Sequence, residues 1–392
     1  MTAQDRDADV LVVGVGSMGS MACWRLARRG ASVLALERFS PGHDRGSGHG
    51  GSRLIRSAYY EGSGYVPLVR RAFELWRELE AETGIRLLTT TGALMIGPPQ
   101  GELVAGALRS AREHDLPHRL LEAEAARRRF PQHRIGPDEV VLWEAQAGIL
   151  RPEPAIRAAA SRAVALGARL LTGLRASRVQ VEGGGVTVEA GGRRFRAARA
   201  VVSVGPWLPS LLPDLGLPLR VERQVMAWFR PQDEERFRPH RFPPFMRDRG
   251  GWHGYGIPAL PADPDLEGPW ARPDLAGLVK VAIHHGGAAT DPDRLDRRVG
   301  HRDLAPVAAL VAETLIGLEP WPERAEVCMY TNTPDLHFVV GQVPSAPELV
   351  VLGGFSGHGF KFAPVIGEAA ADLVLEGRTA LPVAAFSPGR FR

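Results

Sequence analysis

The segment Gly14-Val15-Gly16-Ser17-Met18-Gly19 sets three glycines at the spacing a dinucleotide phosphate requires, and Glu37 follows at the distance where an acid meets a ribose. Gly14 would make the tight turn and Gly16 would let the backbone approach a pyrophosphate. Gly19 would let the following helix pack close to its strand. The helix N-terminus would add free N–H groups and the positive end of a dipole. Glu37 would accept hydrogen bonds from the ribose hydroxyls. The fingerprint alone does not separate NAD from FAD.

Two rarer residue types stand out beside it. Among 48 basic residues only Lys280 and Lys361 are lysines. Lysine is a compact point charge and arginine a broad planar fork, so the two are not equivalent in a site. Composition leaves chance and function equally open for this pair, and the surrounding motifs must decide. There are two cysteines, Cys23 and Cys328. That excludes a disulfide framework and a cysteine-rich metal site, and no metal is expected.

The elements that must hold these groups are legible around the fingerprint. Residues 9–13 read as a buried strand, 20–29 as a helix stopped by Gly30, and 32–36 as a second strand ending at Glu37. A helix over 65–82 carries Leu68, Ala72, Leu75, Trp76 and Leu79 on one face, a stripe best read as core. Strands are predicted over 85–96, helices over 103–114, 122–129 and 154–166, and a strand over 168–172. Residues 179–181 and 186–190 alternate like a hairpin around Gly183-Gly184-Gly185, and 200–204 and 219–229 read as strands. Residues 231–276, rich in Pro, Asp, Arg and Gly, read as long loops on a sheet, a common home for a substrate pocket. Residues 349–352 and 364–375 return to strand and helix, so the nucleotide-binding part is expected to be discontinuous.

At 392 residues the chain exceeds one compact core and fits two domains. The net charge of +4 is spread along the chain, and Arg127-Arg128-Arg129 and Arg193-Arg194 read as solvated faces rather than a nucleic-acid surface. No apolar stretch reaches the roughly 18 residues of a membrane span, and the polar N-terminus lacks the plan of a signal peptide. A cytoplasmic protein is expected, without nucleic-acid or membrane partners.

Three further segments carry a resemblance. They are His49-Gly50-Gly51-Ser52-Arg53-Leu54-Ile55-Arg56-Ser57-Ala58-Tyr59, Val327-Cys328-Met329-Tyr330-Thr331, and Gly354-Phe355-Ser356-Gly357-His358-Gly359-Phe360-Lys361-Phe362. Together and in this order they resemble the monomeric sarcosine oxidase and N-methyltryptophan oxidase family of amine-oxidising flavoenzymes. The resemblance implies an α/β chain with a discontinuous Rossmann-type FAD-binding domain (1–83, 151–218, 326–392) and a substrate domain on a mixed or antiparallel sheet (84–150, 219–325). It also implies a monomer.

What the resemblance implies residue by residue is chemically coherent. Cys328 matches the cysteine bonded through sulfur to the flavin 8α carbon, a job for a nucleophilic thiolate, whereas Cys23 reads as an inert core cysteine. Arg56 and Lys361 match the pair that clamps a substrate carboxylate, so the substrate would be an amino acid rather than a plain amine. Lys280 matches the lysine beside the flavin that assists O2 reduction, where fixed positive charge favours superoxide. Both lysines of the chain thus fall on matched positions. His49 and Arg53 match residues that stabilise the anionic reduced ring. His284, four residues after Lys280 on the same strand face, matches an active-site histidine. Tyr255 and Tyr330 match pocket tyrosines, and Met246 and Gly357 match pocket walls. Ser52, Gly354, Gly357, His358, Gly359 and Lys361 would also contact the cofactor.

The activity implied is oxidation of a secondary amino acid, such as sarcosine or another N-methyl amino acid, to an imine. Hydrolysis then gives an aldehyde and a primary amine, and O2 becomes hydrogen peroxide. Three alternatives share part of the pattern: oxidation of a cyclic imino acid such as pipecolate or proline, an amine dehydrogenase with a non-oxygen acceptor, and a non-catalytic flavin-binding module. The stretch 258–277, with Trp270, is much longer than the family spacing and leaves the substrate's size open.

Overall fold

The computed structural model describes residues 6–249, 252–262 and 272–391. Residues 263–271 of the long insertion, Trp270 among them, lie outside the described residues. Among the described residues, two eight-stranded sheets and one three-stranded sheet organise the chain.

The first sheet is built on β1 (Ala8–Val13), which is buried at every residue but Asp9. A strand buried on both faces suits the centre of a parallel sheet. It pairs in parallel with Arg193–Val202 on one side and with β2 (Val33–Leu36) on the other. Arg169–Leu171 extends the sheet beyond β2, and Ala346–Gly353 joins Arg193–Val202 in parallel. Helix α1 (Ser17–Arg28) follows the Gly-rich turn and ends with Arg25 and Arg28 in its last turn, where cations suit the dipole. Helices Pro152–Ala165, Ala363–Glu376 and Val66–Thr83 pack with it around one apolar core. The expected stripe Leu68, Ala72, Leu75, Trp76 and Leu79 is wholly buried there. Each such leucine contributes roughly 1.5–3 kcal/mol by leaving water.

The second sheet runs in the order Arg324–Asn332, Arg220–Phe229, Val279–His284, Trp252–Ile257, Phe245–Arg249, Ala93–Gly97, Val140–Glu144, Arg119–Glu122. All its pairs are antiparallel except Phe245–Arg249 with Ala93–Gly97.

Three expectations change. Residues 231–276 hold two strands of this sheet, Phe245–Arg249 and Trp252–Ile257. Arg247 and Asp248 broke the apolar period, yet Arg247 is buried because Glu139 pairs with it at 2.5 Å. The strand read as 200–204 begins at Arg193, because Arg-rich residues pair with the preceding hairpin strand on the sheet's wet edge. The division at 325/326 falls inside the strand Arg324–Asn332, whose pairing with Arg220–Phe229 keeps it in the second sheet. The helix His301–Thr314 had no counterpart in the sequence reading.

Candidate active site

The Gly-rich turn closes as its residue types require. Gly14 has φ +87°, and a Cβ there would lie 2.5 Å from the Ser203 carbonyl oxygen. A Cβ on Gly19 would lie 1.9 Å from the Gly14 carbonyl oxygen, so helix and strand approach only because both are glycine. Gly16 faces open space, with nothing within 4 Å of a Cβ. That is the vacancy a close-approaching phosphate needs. Glu37 caps this end: its carboxylate accepts from the Val15 N–H at 2.6 Å and the Phe39 N–H at 2.8 Å. Each oxygen keeps a lone pair for a ribose hydroxyl.

From this turn one cavity of about 450 Å³ runs to the second sheet. Gly14, Gly16 and Glu37 line one end, and Arg56, Met246, Tyr255, His284, Tyr330 and Lys361 are on its wall too. Arg53, Cys328, Gly354, Gly357, His358 and Gly359 also line it. Its size is that of a small-molecule or cofactor site, and the glycine cradle with its acid fits a dinucleotide. Gly357 has φ +76°, and a Cβ there would lie 2.5 Å from the Tyr330 ring, so this wall tolerates no side chain.

Cations meet at one part of the cavity. Arg56 is 1% exposed; its Nη2 donates to both Glu61 carboxylate oxygens, at 2.7 and 2.9 Å, and its Nη1 to the Ala58 carbonyl at 2.8 Å. Its guanidinium also lies over the Tyr59 and Tyr60 rings. Glu144 holds the backbone that follows, accepting from the Ser57 and Ala58 N–H groups at 2.7 and 2.9 Å. Lys361 donates to the His358 carbonyl at 2.7 Å and the Tyr59 hydroxyl at 3.3 Å. Burial, reinforced by Arg56 and opposed by Glu61, lowers its pKa to about 7. Tyr59 in turn meets His358 Nδ1 at 2.6 Å, and His358 Nε2 meets the Leu336 carbonyl at 2.9 Å. A carbonyl only accepts, so Nε2 carries the proton and Nδ1 receives one from Tyr59. Burial holds His358 down at about 4 and pushes His284 well below its usual value. Both are neutral at pH 7. His284 Nδ1 lies 3.2 Å from the Tyr330 hydroxyl, and Tyr255 stands edge-on to its ring.

Lys280 sits differently from its neighbours. It is 1% exposed and donates to the Gly50 and Ser52 carbonyls at 2.9 and 3.0 Å. It lines a second cavity of about 50 Å³ with Gly50, Gly51, Ser52, Trp228 and Leu275, and not the large one. Burial first, and then Arg53, lower its pKa well below 10.5. Arg53 donates to the carbonyls of Ser52, Ser47 and His49. No carboxylate pairs with it among the described residues.

The third group surrounds Cys328. His49 is buried, with Nδ1 3.2 Å from a Glu326 oxygen. Burial would depress its pKa, but the Cys328 thiol and Glu326 outweigh burial and raise it to about 9. Burial would raise Cys328, but His49 and then Arg53 bring it down to about 7. Cys23, buried without such partners, is pushed up to about 12. The two buried thiols are thus shifted in opposite directions.

The sequence reading gave Tyr59 no role and did not name Glu61, Glu144, Glu153 or Glu326. Glu326 alone left a signal, since it stands two residues before Cys328 on a strand and shares its face. The others reach the site from loops or distant elements. Among the described residues no group of His, Cys, Asp and Glu is placed to hold a metal ion, and no helix is long and apolar enough to cross a membrane.

Comparison with known proteins places the chain in a family. The FAD dependent oxidoreductase family model matches residues 9–373. Monomeric sarcosine oxidase from Streptomyces avermitilis is 42% identical over 385 residues, 97% of each chain. N-methyl-L-tryptophan oxidase from Salmonella arizonae is 34% identical, covering 98% of this chain and 99% of its own. The solved structure of NikD, an unusual amino acid oxidase essential for nikkomycin biosynthesis, superposes with a TM-score of 0.81 at 25% identity over 97% of both chains. Glycine oxidase from Geobacillus kaustophilus, at 21% identity and a TM-score of 0.79, shares the fold. The chain belongs to the FAD-dependent oxidoreductase family and, within it, with the monomeric sarcosine oxidases and N-methyltryptophan oxidases, among the FAD-dependent amine oxidases.

Proposed function

We propose that this enzyme oxidises a secondary amino acid of the N-methyl type, with FAD joined through Cys328 and O2 as acceptor. The observation that carries the substrate class is the Arg56 guanidinium holding both oxygens of the Glu61 carboxylate through Nη2, on the wall of the large cavity that Lys361 also lines. A substrate carboxylate offers the same two oxygens. It would take Glu61's place on Arg56, or share the guanidinium with it, and use the third N–H of Lys361, whose other two are spent. A plain amine has nothing for these cations.

Bound FAD supplies the two-electron acceptor. Around it the residues present would divide the work. Gly14, Gly16 and Glu37 would hold the dinucleotide, and Gly354 and Gly357 to Gly359 would let its ring approach the backbone. Ser52 serves through its carbonyl, which fixes Lys280. Arg53 and His49 would add positive charge beside the ring, and Lys280 would favour O2 reduction. Neutral His284, with Tyr255, Tyr330 and Met246, would shape the wall against the substrate's alkyl groups. Bond breaking then depends on orientation, which the carboxylate clamp provides.

The test is peroxide release in air with sarcosine, a bulkier N-methyl amino acid, L-proline, L-pipecolate and dimethylamine. The N-methyl amino acids should turn over and dimethylamine should not. Turnover of the cyclic imino acids in preference to them would move the reading to ring-carbon oxidation. Equal turnover of dimethylamine and sarcosine would refute the carboxylate clamp. Yellow colour left in the supernatant after acid precipitation would refute the tether at Cys328.

A further inference from the structure

We propose that Glu326, anchored by Arg272 of the inserted segment, is a positioning residue that holds His49 against Cys328 and so makes this thiol the nucleophile for flavin attachment. The inference rests on the reading that Cys328 carries the flavin.

Three elements converge on one ring. Glu326 and Cys328 are alternate residues of the strand Arg324–Asn332 and face the same side. His49 arrives from the loop before Arg53–Ile55 and places Nδ1 3.2 Å from Glu326. Its Nε2 is buried and makes no hydrogen bond. Ser47 of the same loop donates to the Met329 carbonyl at 2.7 Å, which seats the loop beside Cys328, and there the charges of the His49 ring and the thiol favour one another. Arg272 bonds both oxygens of Glu326, one of them at 3.4 Å. It is itself steadied by Asp274 at 3.1 Å and lies 3.7 Å from Glu153. Glu153 accepts from the Gly50 and Gly51 N–H groups at 2.7 and 3.0 Å, so it fixes the loop that carries His49.

This is a nucleophile, a base and an orienting carboxylate in sequence. Glu326 binds the imidazole, and the charge of that ring favours the thiolate of Cys328. The carboxylate therefore favours the imidazolium–thiolate pair more than it repels the thiolate. The other charged or titratable groups around the sulfur are Arg53, Lys280, Tyr255 and Tyr330, and His43 stands near His49. Of these, Arg53 also favours the thiolate. The step balances as follows. The thiol proton passes to His49, a C–S bond forms at the 8α carbon, and that methyl group loses a proton. The two electrons left over reduce one O2, which takes up the two protons as hydrogen peroxide.

The experiment uses full-length chain with Cys23→Ala, produced under riboflavin limitation so that Cys328 is free. Its rate of iodoacetamide alkylation is followed from pH 5 to 10, and acid-stable FAD is then followed after FAD is added. The starting chain should show a midpoint near 7. Glu326→Gln should raise the midpoint by a unit or more, toward the ordinary thiol near 8.5, and slow alkylation at pH 6.5 about tenfold. Covalent incorporation should slow by a similar factor, and Glu326→Asp should restore both. Arg272→Met should shift the midpoint in the same direction by about threefold in rate, and no shift would overturn the part given to Arg272. An unchanged midpoint in Glu326→Gln, with a normal melting curve, overturns the proposal while leaving the tether standing. A shifted midpoint in a chain whose flavin never becomes acid-stable upholds the relay and refutes the tether.

Discussion

Lys361 gives the sharpest test of the carboxylate clamp, because its charge should switch within the working pH range. Burial among Tyr59, Phe362 and the Arg56 guanidinium lowers its pKa to about 7. A lysine with a lowered pKa is charged below that value and neutral above it. A bound carboxylate needs the charged form, so affinity should be full below pH 7 and fall as pH rises. Two units above the midpoint only about 1% of the amine is protonated. Affinity at pH 9 should therefore fall by up to about 100-fold, which is about 2.7 kcal/mol at 1.36 kcal/mol per unit. Arg56 stays charged throughout and sets the residual binding. The assay is a spectral titration of the holoenzyme with propionate, which has no amine to titrate and stays ionised over the range. His358 and His284 are already neutral there, and burial keeps Tyr59 and Tyr330 protonated. In Lys361→Met the pH dependence should vanish and affinity should stay at its weak, high-pH level. A flat profile in the unaltered enzyme, or the same slope in Lys361→Met, would refute the assignment.

Three other outcomes follow from the geometry. Lys280→Met should slow reoxidation of the reduced enzyme by O2 at least about 100-fold and barely change reduction by substrate, in rapid-mixing half-reactions; equal slowing of both would remove Lys280 from the oxygen step. Gly19→Ala places a methyl 1.9 Å from the Gly14 carbonyl oxygen, so the purified chain should carry almost no FAD, and full flavin content would show the turn to be more yielding than its geometry implies. Arg247→Met removes a guanidinium that is 0% exposed and bonds Glu139 and the Arg134 and Thr314 carbonyls. The stranded Glu139 should cost about 3–5 kcal/mol in urea unfolding, and adding Glu139→Gln should recover much of it.

The nucleotide-binding end was readable along the chain because its requirements are local. A turn needs glycine at a given offset, a strand needs an unbroken apolar run, and a phosphate needs a helix N-terminus. The separation of Cys328 from Cys23, and the isolation of two lysines among arginines, were also visible as residue types in their motifs. The strands Phe245–Arg249 and Trp252–Ile257 were not, since Arg247 belongs to a strand only when Glu139, more than a hundred residues earlier, neutralises it. The same holds for the site's carboxylates. Glu61 on Arg56, Glu153 under the Gly50 loop and Glu326 on His49 acquire their roles from partners that the sheets bring close. Lys280 and Lys361 look alike as isolated lysines, yet folding turns one to the wall of a small cavity and the other to the large one. Residue type states what chemistry a side chain can do. Which charge it faces, and whether water reaches it, depends on contacts across long sequence separations, and those exist only after the sheets have formed.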